Sequence, residues 1–228
     1  MGLRIALNLK AAKRFEISMP RVADSCVHGV SPSSSIRNTF NISSQEIQYL
    51  KYSWERASSA SDIGCELVAR LLNDNRTRFR ALIESHSGHL LGSSNFTADD
   101  VKKFKRARAV ASGVVMFFNQ VISKLDEPDA ADKISLLSQS LGASHFRMKV
   151  WFQAENWLCV KNCLLDAIMT ALRKNGGSSL LCGKRHMHNI KRATDVWYKV
   201  IQFVIQNMKR GFLAEALTSD SSCNRNNK

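Results

Sequence analysis

The sequence predicts an all-α protein with a single apolar core. Its 228 residues include only three prolines, and long stretches are rich in Ala, Leu, Lys and Arg, which favour helices over strands. Apolar residues also recur at spacings of three and four, which places them along one face of a helix. Since 44% of the residues are apolar, we expect one domain with extensions at both ends.

The first helix is predicted to begin at a capping box formed by Ser43 and Glu46. In this motif each side chain accepts a hydrogen bond from the other residue's backbone N–H. Leu50 and Trp54 then share one helical face. The preceding residues show no sustained period, so we expect residues 1–42 to be a basic, flexible extension.

The middle of the chain alternates helical patterns with turn signals. A second helix is predicted after Asp62, followed by a short helical turn that carries Phe79 and Leu82. Glycines and paired serines predict a mobile loop over residues 85–95. The longest apolar stripe covers residues 97–125 and stops before a proline, which predicts one long helix.

Three helical segments complete the predicted domain. They cover residues 136–145, 157–168 and 193–208, where apolar residues again recur every three or four positions. From residue 218 the sequence is polar, which predicts a disordered tail and a domain over residues 43–217. The pattern as a whole predicts about seven to eight helices and no strand.

The charge balance is strongly basic, with a formal net charge of +14 and a pI near 9.8. Such a charge can attract nucleic acid, acidic lipid or an acidic partner without choosing among them. The run of lysines and arginines around Phe104 is interpreted as a charged outer helix face, so nucleic-acid binding is not expected. The chain also has no apolar run of the length that crosses a bilayer.

The six cysteines are scattered along the chain, and no apolar signal core precedes them. We therefore expect a reducing, cytoplasmic environment rather than a disulfide framework. Cys159 and Cys163 lie one helical turn apart, where backbone geometry disfavours a disulfide, and are interpreted as small buried apolar groups.

The basic N-terminus has three interpretations. It is a solvated tail, a membrane tether lipidated at Gly2, or a mitochondrial-type leader. Ala6 stands where a myristoylation signal has Ser or Thr, and Arg4 and Lys10 belong to the basic cluster that would help a tether to bind. The sequence leaves these alternatives open.

One segment resembles a known family. Leu125-Asp126-Glu127-Pro128, followed by Leu137 and Leu141-Gly142-Ala143-Ser144-His145, resembles the stretch that leads to the proximal histidine in globins, particularly invertebrate, nematode-like ones. Trp54, the helix at residues 157–165, and the pattern of Ala193, Trp197 and Met208 also look like a globin. The resemblance covers roughly residues 43–215 and implies a globin fold.

The resemblance implies that the chain binds haem b, with His145 as the axial iron ligand. One ring nitrogen would coordinate iron, while the other would donate a hydrogen bond to the Leu141 carbonyl or to Ser144. The haem would lie between the helix at residues 97–125 and His145. The residues expected to line it are Leu82, Val110, Val114, Leu141, Val150, Trp157 and Val160.

The sequence departs from the globin pattern at two positions. Val110 falls where many globins carry a distal histidine, although a shift of register would place Arg106 or Arg108 there instead. Those two arginines are more simply interpreted as solvated groups or partners of the haem propionates. Leu82 replaces the phenylalanine that normally stacks on haem, with Phe79 as a displaced substitute, and Arg76 replaces the usual corner proline.

These departures favour sensing, redox or gas chemistry over bulk oxygen storage. Iron-bound O₂ carries partial negative charge, and a valine cannot donate the hydrogen bond that stabilises it. We expect a diatomic gas ligand (O₂, NO or CO), no dedicated enzymatic activity, and five-coordinate ferrous iron or weak sixth ligation by His86 or His89. A reductant and a second copy of the chain are further expected partners. The alternative is a haem-free helical interaction module that uses the basic surface or tail.

Overall fold

The computed structural model describes residues 40–75, 79–81, 83, 95–150, 154–174 and 183–223, all within the compact unit Asn38–Lys228. Within these ranges all regular structure is helical, which confirms the all-α class. None of the described helices combines the length and apolar character needed to cross a bilayer. The N-terminal extension, Arg76, Leu82, His86 and His89 lie outside the described residues.

Seven described helices follow one another along the chain. They are α1 (Ser44–Ala60), α2 (Ile63–Asn73), α3 (Ala98–Lys103), α4 (Lys105–Lys124), α5 (Ala130–Arg147), α6 (Ala154–Lys174) and α7 (Gly183–Cys223). Residues 79–81 and 83, between α2 and α3, are also helical. α7 continues past residue 218, so that part of the expected polar tail is helical.

Two helix starts form as the sequence predicts. The Ser43 N–H donates to Glu46 Oε2 at 2.8 Å, and the Glu46 N–H donates to Ser43 Oγ at 3.3 Å. At α2, Asp62 Oδ1 accepts from the Cys65 N–H at 3.0 Å. Each bond satisfies a backbone donor that has no partner inside the helix, so these local sequences fix where α1 and α2 begin.

The expected single helix over residues 97–125 is broken at Phe104. This residue has φ −100° and ψ 114°, an extended conformation that separates α3 from α4. Its ring packs edge-on against Phe96 with the centroids 6.4 Å apart, which gives the break a tertiary cause. α3 keeps its Thr97 capping box, whereas α4 begins without a side-chain cap.

An aromatic cluster joins three helices in the core. The Trp54 ring lies 5.5 Å from Trp197 and 5.9 Å from Phe118, measured between centroids. The two indole N–H groups are also satisfied: Trp54 donates to Asn119 Oδ1 at 2.7 Å and Trp197 to Ser53 Oγ at 2.9 Å. Burial of both large rings therefore leaves neither indole donor unpaired.

Glycines allow two pairs of helices to touch through their backbones. A Cβ on Gly64 would lie 2.3 Å from the Ala111 carbonyl oxygen, which brings α2 directly against α4. α5 makes its most extensive helix contact with α7. There, a Cβ on Gly142 would lie 1.9 Å from the Met208 oxygen, and one on Gly211 would lie 2.0 Å from the Gln139 oxygen.

Replacement of Gly142 by Ala is expected to destabilise the fold. The added methyl has no space against the α7 backbone, so the helices must separate, at a cost of about 2–3 kcal/mol in free energy of unfolding. The matched control is Gly113→Ala in α4, where an added Cβ meets nothing within 4 Å. That change should stabilise by about 0.5–1 kcal/mol, because alanine favours helix over glycine. Denaturant unfolding of both variants measures the difference, and equal effects would contradict the close α5–α7 contact.

Candidate functional site

His145 lies near the end of α5 and is half-buried. Its Nδ1 is 2.8 Å from the Leu141 carbonyl oxygen, one helical turn earlier. A carbonyl oxygen only accepts hydrogen bonds, so Nδ1 is the protonated nitrogen, and the neutral ring carries its lone pair on Nε2. Of the two predicted acceptors, the Leu141 carbonyl is therefore the one that Nδ1 uses, while the Ser144 hydroxyl donates to the Ser140 carbonyl at 2.9 Å and accepts from Arg147 Nη2 at 3.1 Å.

The environment of His145 favours the neutral ring. Burial lowers its pKa from the ordinary value of 6.5, while the hydrogen bond to Leu141 acts in the opposite direction. A neutral imidazole with a fixed tautomer is the form that coordinates a metal ion. The donor set at this position therefore fits an iron ligand of the proximal type.

The backbone ends α5 at Arg147, two residues after His145. The Val150 N–H donates to the His145 carbonyl at 2.9 Å, and the Lys149 N–H donates to the Phe146 carbonyl at 2.8 Å. This pair of bonds is a Schellman motif, in which the residue after the cap adopts a left-handed conformation. Lys149 does so, with φ 57°, although glycine is usual there. The turn holds Val150 beside His145.

Contacts with α7 fix the rotation of α5 around its own axis. Phe146 packs edge-on against Phe212 with the centroids 5.3 Å apart. Arg147 Nη1 lies 3.0 Å from Glu215 Oε1. Phe146 and Arg147 are the two residues that follow His145, and both are held against α7. These contacts set the direction in which the His145 ring projects from α5.

The other predicted lining residues differ in burial. Val114 and Val160 are half-buried and pack against the main core cluster. Trp157 belongs to that cluster, with 7% of its surface exposed, and the Lys209 ammonium lies 5.9 Å from its ring centroid. Val110 is 42% exposed. Leu141 and Val150 are joined directly to His145 by hydrogen bonds, and the haem-lining roles of all these residues stay predictions.

The predicted distal face of α4 carries no iron-coordinating side chain. The side chains on this face contain neither nitrogen nor sulfur. They recur at spacings of three and four and belong to Ala107, Val110, Ala111 and Val114. Arg106, one turn before Val110, is half-buried, and burial lowers its pKa. Its location leaves it available as a partly desolvated positive charge next to an apolar stripe.

Sequence reasoning missed the structural support of the site. Gly142 is part of the quoted globin-like motif, but its role as a helix contact depends on Gly211, which lies 69 positions later and has no local signal. The left-handed conformation of Lys149 could not be predicted from the sequence either, because lysine is not a residue type that favours this conformation.

No family model and no curated protein matches the chain. Among solved structures, it is similar to a hexacoordinated haem protein from an anhydrobiotic tardigrade, with a TM-score of 0.54 and 16% identity over 76% of this chain and 96% of that one. The chain has a globin fold. Two structures of a Drosophila melanogaster globin, one described as a hexacoordinate haemoglobin, match at 19% identity and a TM-score of 0.47, over 70% of this chain and 93% of theirs.

The lowered pKa of His145 predicts a loss of folding stability in acid. Its pKa in the folded chain is below the ordinary 6.5. As pH falls through 6.5, the unfolded chain binds a proton that the folded chain does not, so the folded state loses stability. For the haem-free protein we expect the unfolding free energy of the wild type to fall relative to His145→Gln between pH 6.5 and the lowered pKa, by at most about 1.4 kcal/mol per pH unit. Parallel curves for the two proteins would contradict the buried neutral ring.

Proposed function

We propose that this chain is a haem-binding globin in which His145 is the protein ligand to iron and a diatomic gas binds on the opposite side. The observation that carries the proposal is the hydrogen bond of 2.8 Å from His145 Nδ1 to the Leu141 carbonyl. It sets the tautomer of the neutral ring and so supports Nε2 as the coordinating atom. The globin fold supports the same proposal, since the neighbour with the higher TM-score is described as a haem protein.

The residues of the chain would hold the haem in complementary ways. His145 supplies the axial nitrogen, and Leu141 fixes its orientation. Val114, Val150 and Val160 are half-buried apolar groups suited to contact with the porphyrin faces. Arg106 is a half-buried cation suited to a propionate. The bound iron protoporphyrin would supply a metal centre whose sixth position takes the gas.

The chemistry of α4 supports sensing or redox chemistry over oxygen storage. The valine at position 110 cannot donate a hydrogen bond to bound O₂, whose partial negative charge would then lack stabilisation. O₂ would leave or oxidise the iron more readily, whereas CO and NO depend less on such a donor. A reductant that returns ferric iron to the ferrous state is therefore part of the proposal.

Loss of the axial ligand is the direct test of haem binding. His145→Gly should lose at least tenfold in haem affinity, because the iron loses its only protein ligand on that side, and imidazole added to the solution should restore the Soret band. The control is Ser144→Ala, which removes an exposed hydroxyl next to the ligand and should retain haem. Titration with haemin, followed by absorption, measures both.

Two results would overturn the proposal. A wild-type chain that refuses haemin would favour the alternative, a haem-free interaction module that uses its net charge of +14. Haem retention by His145→Gly without imidazole would instead assign the ligand elsewhere. Imidazole rescue separates loss of the ligand from loss of the fold, since a misfolded chain would not recover.

The number of iron ligands depends on residues outside α4. We expect the reduced, gas-free protein to be five-coordinate, or six-coordinate through His86 or His89, which lie outside the described residues. The spectrum of a His86→Ala/His89→Ala variant should therefore be high-spin whatever the wild type shows. A low-spin spectrum that persists in this double variant would contradict the proposed distal side. The single variants, measured in parallel, identify which histidine contributes.

A further inference from the structure

A shallow cleft lies on the surface between α1 and α7. Its volume is about 530 Å³, within the range of about 300–1,000 Å³ that is usual for small-molecule sites. None of the residues proposed to contact haem lines it. Among the described residues, two aromatic rings, two amides, a hydroxyl and one cation form its lining, and they belong to Ser44, Gln45, Gln48, Tyr49, Tyr52 and Arg192. This combination of groups suits a flat, polar ligand that carries a negative charge.

The two tyrosines provide the aromatic surface of the cleft. Tyr49 and Tyr52 are three residues apart on α1, so their side chains project from the same side of the helix. The Tyr52 side chain is 56% exposed, and Arg56 Nη1 donates to its hydroxyl at 3.0 Å. An exposed ring that is already restrained loses little side-chain entropy when a ligand stacks on it. Tyr52 is therefore suited to stacking against a planar heterocycle.

Arg192 provides the cation. Its guanidinium carbon lies 5.3 Å from the centroid of the Tyr49 ring, a distance at which the ring attracts the positive charge. A guanidinium held over a ring keeps its N–H donors along its own plane, where phosphate oxygens can accept two of them at once. The contact with Tyr49 thus positions Arg192 and leaves its donors available to an anion.

The carboxylates on the neighbouring turns do not occupy this cation. Glu46 is paired with Lys199 at 2.8 Å. Glu55 and Asp195 each lie one helical turn from a lining residue, and neither lines the cleft. Among the described residues no carboxylate forms an ion pair with Arg192. An anionic ligand would therefore meet Arg192 without displacing a protein carboxylate.

The amides select among flat heterocycles. Gln45 and Gln48 occupy exposed positions of α1 beside the rings. A glutamine amide offers a donor and an acceptor together, which match N7 and the N6 amino group of adenine. We propose that this cleft binds an adenine mononucleotide, with the base stacked on Tyr52 and the phosphate bound by Arg192.

Calorimetric titration of the full-length chain with adenosine 5′-monophosphate (AMP) tests the site. AMP should bind at least about tenfold more tightly than adenosine or ribose 5-phosphate, because each of these lacks one of the two groups that the cleft recognises. Arg192→Gln should weaken AMP about tenfold and leave adenosine unchanged. Tyr52→Ala should weaken both ligands about tenfold. Tyr52→Phe keeps the ring and should bind AMP as the wild type does.

Lys161 and Tyr198 provide the matched control, because they form the same kind of pair outside the cleft. The Lys161 ammonium lies 4.6 Å from the centroid of the Tyr198 ring, and Tyr198 is 45% exposed. Lys161→Gln and Tyr198→Ala should therefore leave the affinity for AMP unchanged. The His145→Gly chain should also bind AMP as the wild type does, so the result is independent of haem binding.

Three results would overturn the proposal. They are a wild-type chain that does not bind AMP, equal affinities of the wild type for AMP and adenosine, and equal losses of affinity in the cleft and control variants. Helical circular dichroism confirms that each variant is folded. A folded Arg192→Gln chain that binds AMP as tightly as the wild type would likewise exclude Arg192 as the phosphate ligand.

Discussion

The direct backbone contact between α5 and α7 is the constraint on which the arrangement of the site depends. Gly142 and Gly211 remove side chains at the crossing, so each helix rests on the other's carbonyl groups. A polar bond extends the contact: Ser135 Oγ donates to Asn207 Oδ1 at 2.8 Å, whereas Asn207 Nδ2 donates within α7 to the Phe203 carbonyl at 3.0 Å. Asn207 is almost fully buried, and an incorrect register between the helices would take the α5 donor away from its amide oxygen. Packing and hydrogen bonding thus select the same register, and that register positions His145.

The features that the sequence predicted correctly are those written in short segments. The start of α1 needs only Ser43 and Glu46, three residues apart, and the Nδ1 bond of His145 reaches the carbonyl four residues earlier. Apolar spacing likewise predicted the helices, because a buried stripe needs only the period of the helix itself. The class of the fold follows from such local information, whereas the role of His145 as iron ligand is implied by the resemblance and stays a prediction.

The features that escaped prediction depend on residues distant in the chain. The break at Phe104 depends on packing against Phe96, and the apolar stripe on either side continues as though the helix were unbroken. The fit of Gly142 depends on the α7 backbone at Met208. Val110 could be placed on α4 by its spacing, but its exposure of 42% is set by how α4 rests on α2, where Gly64 meets Ala111. Apolar spacings of three and four residues within one helix cannot predict how that helix packs against another.

Hydrogen-bond satisfaction in the interior distinguishes supporting groups from groups that remain available for chemistry. The indole N–H groups of Trp54 and Trp197 are hydrogen-bonded to Asn119 and Ser53. Such pairing stabilises the fold and leaves neither indole donor unsatisfied. Among the described residues that are not exposed, Arg70 Nε is the buried side-chain atom left without a partner. The same reasoning applies to His145 in a different form, since its Nδ1 bond to Leu141 leaves the lone pair of the neutral ring on Nε2, the atom proposed to bind iron.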